Sequence, residues 1–330
     1  MNNLFIAILN MSLTGAFVIF GVCLARLAMK KSPTIFQLCL WIVVGFRLVF
    51  PFTLEGPFSL IPFNFGFVPP YVDSYTQVIR EYSSEMSYIY GLSPLYNGST
   101  WEFWITVATV IWLAGTSFMM IYGIASIILL KNKLKNAIPI ENNIYETDAI
   151  KTPFVMGFLA PKIYLPVNLS EMERKHIILH EQAHIKRWDH VTKLFSYFIL
   201  SFHWFNPMVW LAFLLMNKDM EMSCDERVLK QLGDDHENKK DYSLALLSLA
   251  TGKQSFVSSP LAFTNGDVSE RVKNVLKFKR QPYLVFGLSM ILVVTLSVGF
   301  SFNRVSTYEI SSHVHMESTG IERLNPYCCL

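Results

Sequence analysis

Charge is scarce in this chain. Asp, Glu, Lys and Arg make up 16% of its 330 residues against 52% hydrophobic residues, too few for a soluble protein of this size. The formal net charge of +3 is too small to argue for direct nucleic-acid binding. The five cysteines give no disulfide framework: Cys23 and Cys39 fall in apolar runs, Cys224 lies in the polar middle, and Cys328 and Cys329 are adjacent near the end. Internal repeats and low-complexity tracts are absent. No basic residue precedes the first apolar run, and its positive cluster (Arg26, Lys30, Lys31) follows it. That order argues against a cleaved signal peptide and for a retained span with its N-terminus outside.

What is present are long uncharged runs. Leu4 to Ala25, Phe103 to Leu130 and Tyr283 to Phe302 each supply the roughly 20 apolar residues that span about 30 Å of hydrocarbon as helix. Ile35 to Phe52 is a fourth candidate, and its one charge, Arg47, sits near the run's end, where it is expected to snorkel to the interface or, as the alternative, to take a pairing or conformational role inside the bundle. Lys131, Lys133 and Lys135 follow one span, and Lys273, Lys277, Lys279 and Arg280 precede the last, whereas residues 53–100 hold a single basic residue, Arg80. By the positive-inside rule the expected organisation is three transmembrane helices in 1–130 with an extracellular loop at 53–100, a cytoplasmic region at 131–282, a fourth transmembrane helix at 283–302 and a short extracellular tail at 303–330.

The polar middle begins with brief β-prone runs punctuated by proline and glycine: Ile144 to Thr147, Pro153 to Gly157 and Pro161 to Pro166. They predict a small hairpin or sheet whose edge could take an extended peptide by strand addition, or which simply packs on the helices. Ser170 with Glu173 has the form of a capping box, predicting a helix from there to about Trp188. On that helix His180 and His184 lie one turn apart on one face, with Glu181 beside them. This is the HExxH pattern, which lets two imidazoles reach one ion.

A hydrolytic zinc site needs a third protein ligand and an open position. The best candidate is Glu221, and Asp225, one turn on, is placed to orient a ligating histidine. The intervening run Leu194 to Asn217 reads naively as another span, which would put Glu221 across the membrane from both histidines. Asn206 and Pro207 break that run, so it is expected to form a membrane-dipping hairpin over 191–217, dipping into or lying on the inner leaflet.

These motifs, with His203-Trp204-Phe205-Asn206-Pro207 between them and a span at the end, resemble the bacterial BlaR/MecR family of membrane zinc metallopeptidases, antirepressors in β-lactam sensing. The resemblance covers roughly residues 1 to 302. It implies one Zn2+ per chain on His180, His184 and Glu221, with Glu181 as catalytic base. The fold class expected is mainly α: a polytopic protein of the bacterial cell membrane with four transmembrane helices and a cytoplasmic gluzincin-like zinc metallopeptidase domain. Receptors of that family continue into a penicillin-binding domain with a Ser-x-x-Lys motif, which this sequence lacks, so the chain is expected to be the transducer without that sensor.

The expected activity is a signalling endopeptidase that cleaves a cytosolic protein such as a winged-helix repressor, or itself. Membrane lipid and a second copy of the chain are further candidate partners. A membrane quality-control or processing protease, and a non-catalytic protein with a structural metal site, remain alternatives. His190 and His203 are candidates for oxyanion or substrate contact, although an interfacial or structural role suits each better. The stretch Arg271 to Arg280, ending in Lys277, Phe278, Lys279 and Arg280, could serve for self-cleavage or only fix topology. Cys224 could approach the metal as a thiolate or pack as a small hydrophobe.

Overall fold

The computed structural model describes residues 2–50, 54–55, 60, 99–233, 235–251 and 268–303. The expected loop 53–100 and tail 303–330, with Cys328 and Cys329, lie almost wholly outside the described residues. The elements in order are α1 (Asn2–Ala28), α2 (Thr34–Val49), β1 (Leu54–Glu55), α3 (Ser99–Lys133), β2 (Ile138–Glu141), β3 (Ile144–Thr147), β4 (Phe154–Met156) and β5 (Lys162–Pro166). There follow α4 (Glu171–Lys186), α5 (Asp189–Phe202), α6 (Pro207–Leu232), α7 (His236–Thr251), α8 (Val268–Lys277), α9 (Tyr283–Ser301) and β6 (Phe302–Asn303).

Among the described residues three helices are long and apolar enough to cross a membrane, Leu4–Ala28, Phe103–Asn136 and Tyr283–Ser301. The fourth expected span, Ile35 to Phe52, is shorter than anticipated. Pro33 caps α2 at one end, and Phe50, extended before Pro51, closes it at the other. The remaining 16 residues rise only about 24 Å. Arg47 does not snorkel: it is 5% exposed and faces the interior of the bundle. Its covering by protein rather than by interface fits the rule that intramembrane charges turn inward.

The run from Leu194 to Asn217 forms a helical hairpin, longer than the expected 191–217 because its second helix continues to Leu232. Helix α5 rises, the chain turns at His203–Asn206, and α6 returns as one continuous helix to Leu232. Asn206 caps α6 by accepting from the Met208 amide at 2.9 Å, and Pro207 takes the first helical position, where its missing N–H costs nothing. At the tip the Asn206 amide donates to the carbonyl and hydroxyl of Ser12 (3.0 and 2.8 Å), and His203 Nε2 donates to the Leu48 carbonyl at 3.0 Å. At the base Asp219 meets Arg26, so the hairpin runs beside α1 for about 20 Å.

Buried side chains of the hairpin, including Tyr197, Leu200, Phe213 and Met216, share one core with Val18, Val22, Leu40 and Val44 of α1 and α2. Helix α3 covers the other side. A Cβ at Gly115 would overlap the Trp204 indole and one at Gly123 the Tyr197 ring, so both positions require glycine for close approach. The Tyr197 hydroxyl then donates to the Met119 carbonyl at 2.7 Å.

The β segment is a four-stranded sheet, not a lone hairpin, with order β2-β3-β5-β4 and a parallel β3–β5 pair. Residues 138–141 add the extra strand as an exposed edge, where a proline is tolerated. Ile144, Ile163 and Leu165 bury one face of the sheet against Ile177 of α4. The sheet, the start of α2, the ends of α1 and α3 and the base of the hairpin all gather at the end of the bundle that carries the histidines.

Candidate metal centre

Helix α4 begins as its sequence requires: the Ser170 side chain accepts from the Glu173 amide and Glu173 reaches back to the Ser170 amide. Such a cap is worth about 1 kcal/mol and sets the register of the whole helix. One face of α4 then buries His176, Ile177, His180, Glu181, Ala183 and His184. His176 is satisfied within the helix, its Nδ1 donating to the Met172 carbonyl at 2.8 Å.

His180, His184 and Glu221 converge. Nε2 of His180 is 3.2 Å from Nε2 of His184 and 3.4 Å from Oε2 of Glu221, and Nε2 of His184 is 3.6 Å from Oε1 of Glu221. A tetrahedral ion with bonds of about 2.0–2.1 Å separates its ligand atoms by about 3.3–3.4 Å, so the three donors are spaced for zinc.

The backs of both imidazoles fix which nitrogen faces the centre. Nδ1 of His184 donates to Asp189 Oδ2 at 2.6 Å, because a carboxylate can only accept. Nδ1 of His180 lies 2.8 Å from the Tyr242 hydroxyl, which itself donates to Asp225 Oδ1 at 2.6 Å. Both Nε2 lone pairs therefore point at the centre beside a carboxylate. Burial alone would lower the proton affinity of His180, but its hydrogen bonds to Asp225 and Glu221 outweigh that and raise its pKa to about 9. A field that favours a proton there also favours a metal cation.

A second set of donors, His184, Asp189 and Cys224, also lies close together. It is the weaker candidate. It would use His184 Nδ1, which is committed to Asp189, and burial pushes the Cys224 thiol pKa up, keeping sulfur protonated. Cys224 is fully buried with Val228 and Tyr242, and its Sγ approaches His184 Nδ1 at 3.2 Å, on the side away from Nε2. It packs as a small hydrophobe, not as a thiolate ligand.

Four charged residues without an expected role, Asp189, Arg187, Lys193 and Arg271, meet at this centre. Trp188 adopts a left-handed backbone (φ 59°) between α4 and α5, and this reversal returns Asp189 beneath His184. Arg187 holds Asp189 from the other side and donates to the Met220 carbonyl at 3.0 Å, tying the link to α6. Lys193 of α5 donates to Glu221 Oε1 at 3.2 Å. Arg271 of α8 grips Asp225 through two nitrogens (2.8 and 2.7 Å) and approaches Glu221 Oε2 at 3.3 Å. Arg271 outweighs the burial penalty on Asp225 and holds that carboxyl well below the usual carboxylate range.

The residues 6–275 match the family model described as BlaR1 peptidase M56. The chain belongs to the BlaR1 peptidase M56 family. It is 32% identical over 157 residues to regulatory protein BlaR1 of Bacillus licheniformis, a match covering 46% of this chain and 26% of that protein. It is 29% identical over 166 residues to the methicillin resistance mecR1 protein of Staphylococcus aureus, covering 44% of this chain and 28% of the relative, with the same figures for that of Staphylococcus epidermidis. The matches thus span little more than a quarter of these relatives. The M56 chain is accordingly a member of a membrane-bound, signal-transducing metallopeptidase family.

Two sequence candidates fall away from the M56 centre. His203 is at the hairpin tip, bonded to the end of α2, a whole helix removed from Asp189. His190 stacks on Trp188 and reaches the Phe158 carbonyl at 3.4 Å, on the far side of the turn that presents Asp189. Nor does the stretch Lys277, Phe278, Lys279 and Arg280 enter the centre. Phe278 packs with Val275 on the Val228–Tyr242 cluster, and its carbonyl accepts from Lys239 at 3.0 Å.

Proposed function

We propose that this chain is a zinc endopeptidase of the membrane, with His180, His184 and Glu221 as ligands and Glu181 as general base, acting in signal transduction. The observation that carries this reading is the spacing of the three donor atoms, 3.2 to 3.6 Å, with both histidine tautomers set by carboxylates behind them. Zinc held there supplies a Lewis acid that acidifies water and polarises a peptide carbonyl.

The chain's own groups do the rest. Glu181, buried next to His180, takes the proton from the attacking water and returns it to the leaving amine. Asp189 and Asp225 keep the two imidazoles in the ligating tautomer, the second through Tyr242. Strand β4 is the edge of its sheet and lies along α4, so an extended substrate can add to it by main-chain hydrogen bonds. The basic residues Lys30, Lys31, Lys131, Lys133 and Lys135 cluster at the end of the bundle that carries the centre, and the positive-inside rule therefore turns it to the cytoplasm.

A cytosolic repressor, or the chain itself, is the substrate this reading assigns, since the relatives it matches are named as regulatory and resistance proteins. The test is a comparison of protein fragments in cells carrying the wild type and Glu181→Ala. A small set of fragments, including one from a DNA-binding repressor or from this chain, present only with the wild type, is expected. Identical fragment patterns would defeat the peptidase reading, and a broad spectrum of fragments would replace the signalling role with quality control.

A further inference from the structure

The basic segment before the last span contains one residue that does not behave as a topology signal. Arg271 lies on α8 with a side chain only 13% exposed, while Lys273 on the same helix is exposed. Its Nε and Nη2 donate to the two oxygens of Asp225 at 2.8 and 2.7 Å, a fork that matches a carboxylate bidentately. The same guanidinium places Nη1 at 3.3 Å from Glu221 Oε2 and Nη2 at 3.3 Å from His180 Nε2. It therefore touches one expected metal ligand by its carboxylate, another by its imidazole, and the group that orients that imidazole.

Helix α8 is otherwise held by packing against α7 and α6. Val275, with Val272 beside it, enters the cluster formed by Cys224, Val228 and Tyr242, and a half-buried pair joins Lys218 of α6 to Glu270. From α8 the chain passes through residues 278–282 into the membrane helix α9.

We propose that Arg271 is the positioning residue through which the last membrane helix controls the metal centre. Docked, its fork holds Asp225 against Tyr242 and steadies Glu221, so that the three donor atoms keep their spacing. When α8 is drawn away with α9, Asp225 loses its cationic partner and Glu221 is restrained by Lys193 alone. The inference rests on the reading of His180, His184 and Glu221 as metal ligands, and it adds that this ligand set is complete only while α8 is in place.

Cobalt(II) titration of the full chain in detergent tests it without any assay of peptide cleavage. Wild-type protein should bind one equivalent with the visible absorption of a tetrahedral site. Absence of cobalt binding in wild type would remove the metal reading itself, a separate failure. Given binding, Arg271→Met should weaken it about 10- to 100-fold, the range for loss of a group behind a ligand, and change the absorption envelope. Arg271→Lys should rescue little, since an ammonium cannot form the fork, and Lys273→Met should leave wild-type affinity.

A double-mutant cycle separates positioning from misfolding. If Arg271 acts through Asp225, then Arg271→Met combined with Asp225→Asn should bind cobalt no worse than the poorer single variant. Wild-type affinity and spectrum in Arg271→Met, tighter binding in that variant, or fully additive losses in the double variant would each overturn the proposal.

Discussion

Asp219, two positions before Glu221 on α6, is fully buried and accepts a two-pronged hydrogen bond from Arg26 of α1 at 2.6 to 2.9 Å. The Trp41 indole of α2 donates to the same carboxylate at 2.9 Å. One acidic side chain thus ties two membrane helices to the helix that carries the third metal donor. Removing one partner leaves the other charge without compensation, which costs about 3–5 kcal/mol when the pair is buried. Asp219→Ala is expected to lower the thermal unfolding midpoint by several degrees, and Arg26→Met combined with Asp219→Leu to recover most of that loss. Unfolding followed in detergent checks both, and an unchanged midpoint in Asp219→Ala would show that the tie carries no stability.

Glycine at positions 115 and 123 is a condition for seating the hairpin. Gly123→Leu drives a side chain into Tyr197 and breaks its bond to Met119, so α5 should be displaced from α3. Protease nicking near residues 203–206 reads this directly: faster cleavage in the variant is expected, and cleavage at the wild-type rate would contradict the packing.

Asp189 orients His184 as Asp225 orients His180. Asp189→Asn keeps the shape but loses the charge that Nδ1 donates to, and zinc affinity should fall about 10- to 100-fold. Competition with a chromophoric chelator measures the change. Equal affinity in wild type and variant would mean that the 2.6 Å contact does not set the tautomer.

The raised pKa of His180 gives metal binding a pH dependence of definite sign. Below about 9 the imidazole carries a proton that a metal must displace, and above it the ligand is free. Apparent zinc affinity should therefore rise with pH through this window, by about tenfold per unit for the one proton released. Chelator competition at pH 6, 7 and 8 checks the slope, and a flat profile would contradict it.

How far the sequence alone reached depended on whether the signal was local. His180, Glu181 and His184 sit within one helical turn, and the Ser170–Glu173 cap marks where that helix starts, so both were legible from spacing. Glu221 and Asp225 followed because a zinc hydrolase needs a third ligand from a separate helix and these two carboxylates stand at helical spacing. Asp189 lies five residues beyond His184, but its use depends on the left-handed turn at Trp188, which no propensity favours. Tyr242 and Arg271 come from α7 and α8, and only packing brings them to His180. Arg271 was further hidden among lysines that read as a topology signal. The hairpin was legible from Asn206 and Pro207 together with the need to return Glu221. Its seating against α1 and α2 was not, because it is set by the contacts of Asn206 with Ser12 and of His203 with Leu48.

The central claim is that His180, His184 and Glu221 hold one zinc ion, and metal analysis of the purified full chain tests it most directly. One equivalent of zinc in wild type, lost in His180→Ala and in Glu221→Ala while both variants remain folded, is the predicted result. An equal zinc content in wild type and both variants would contradict it.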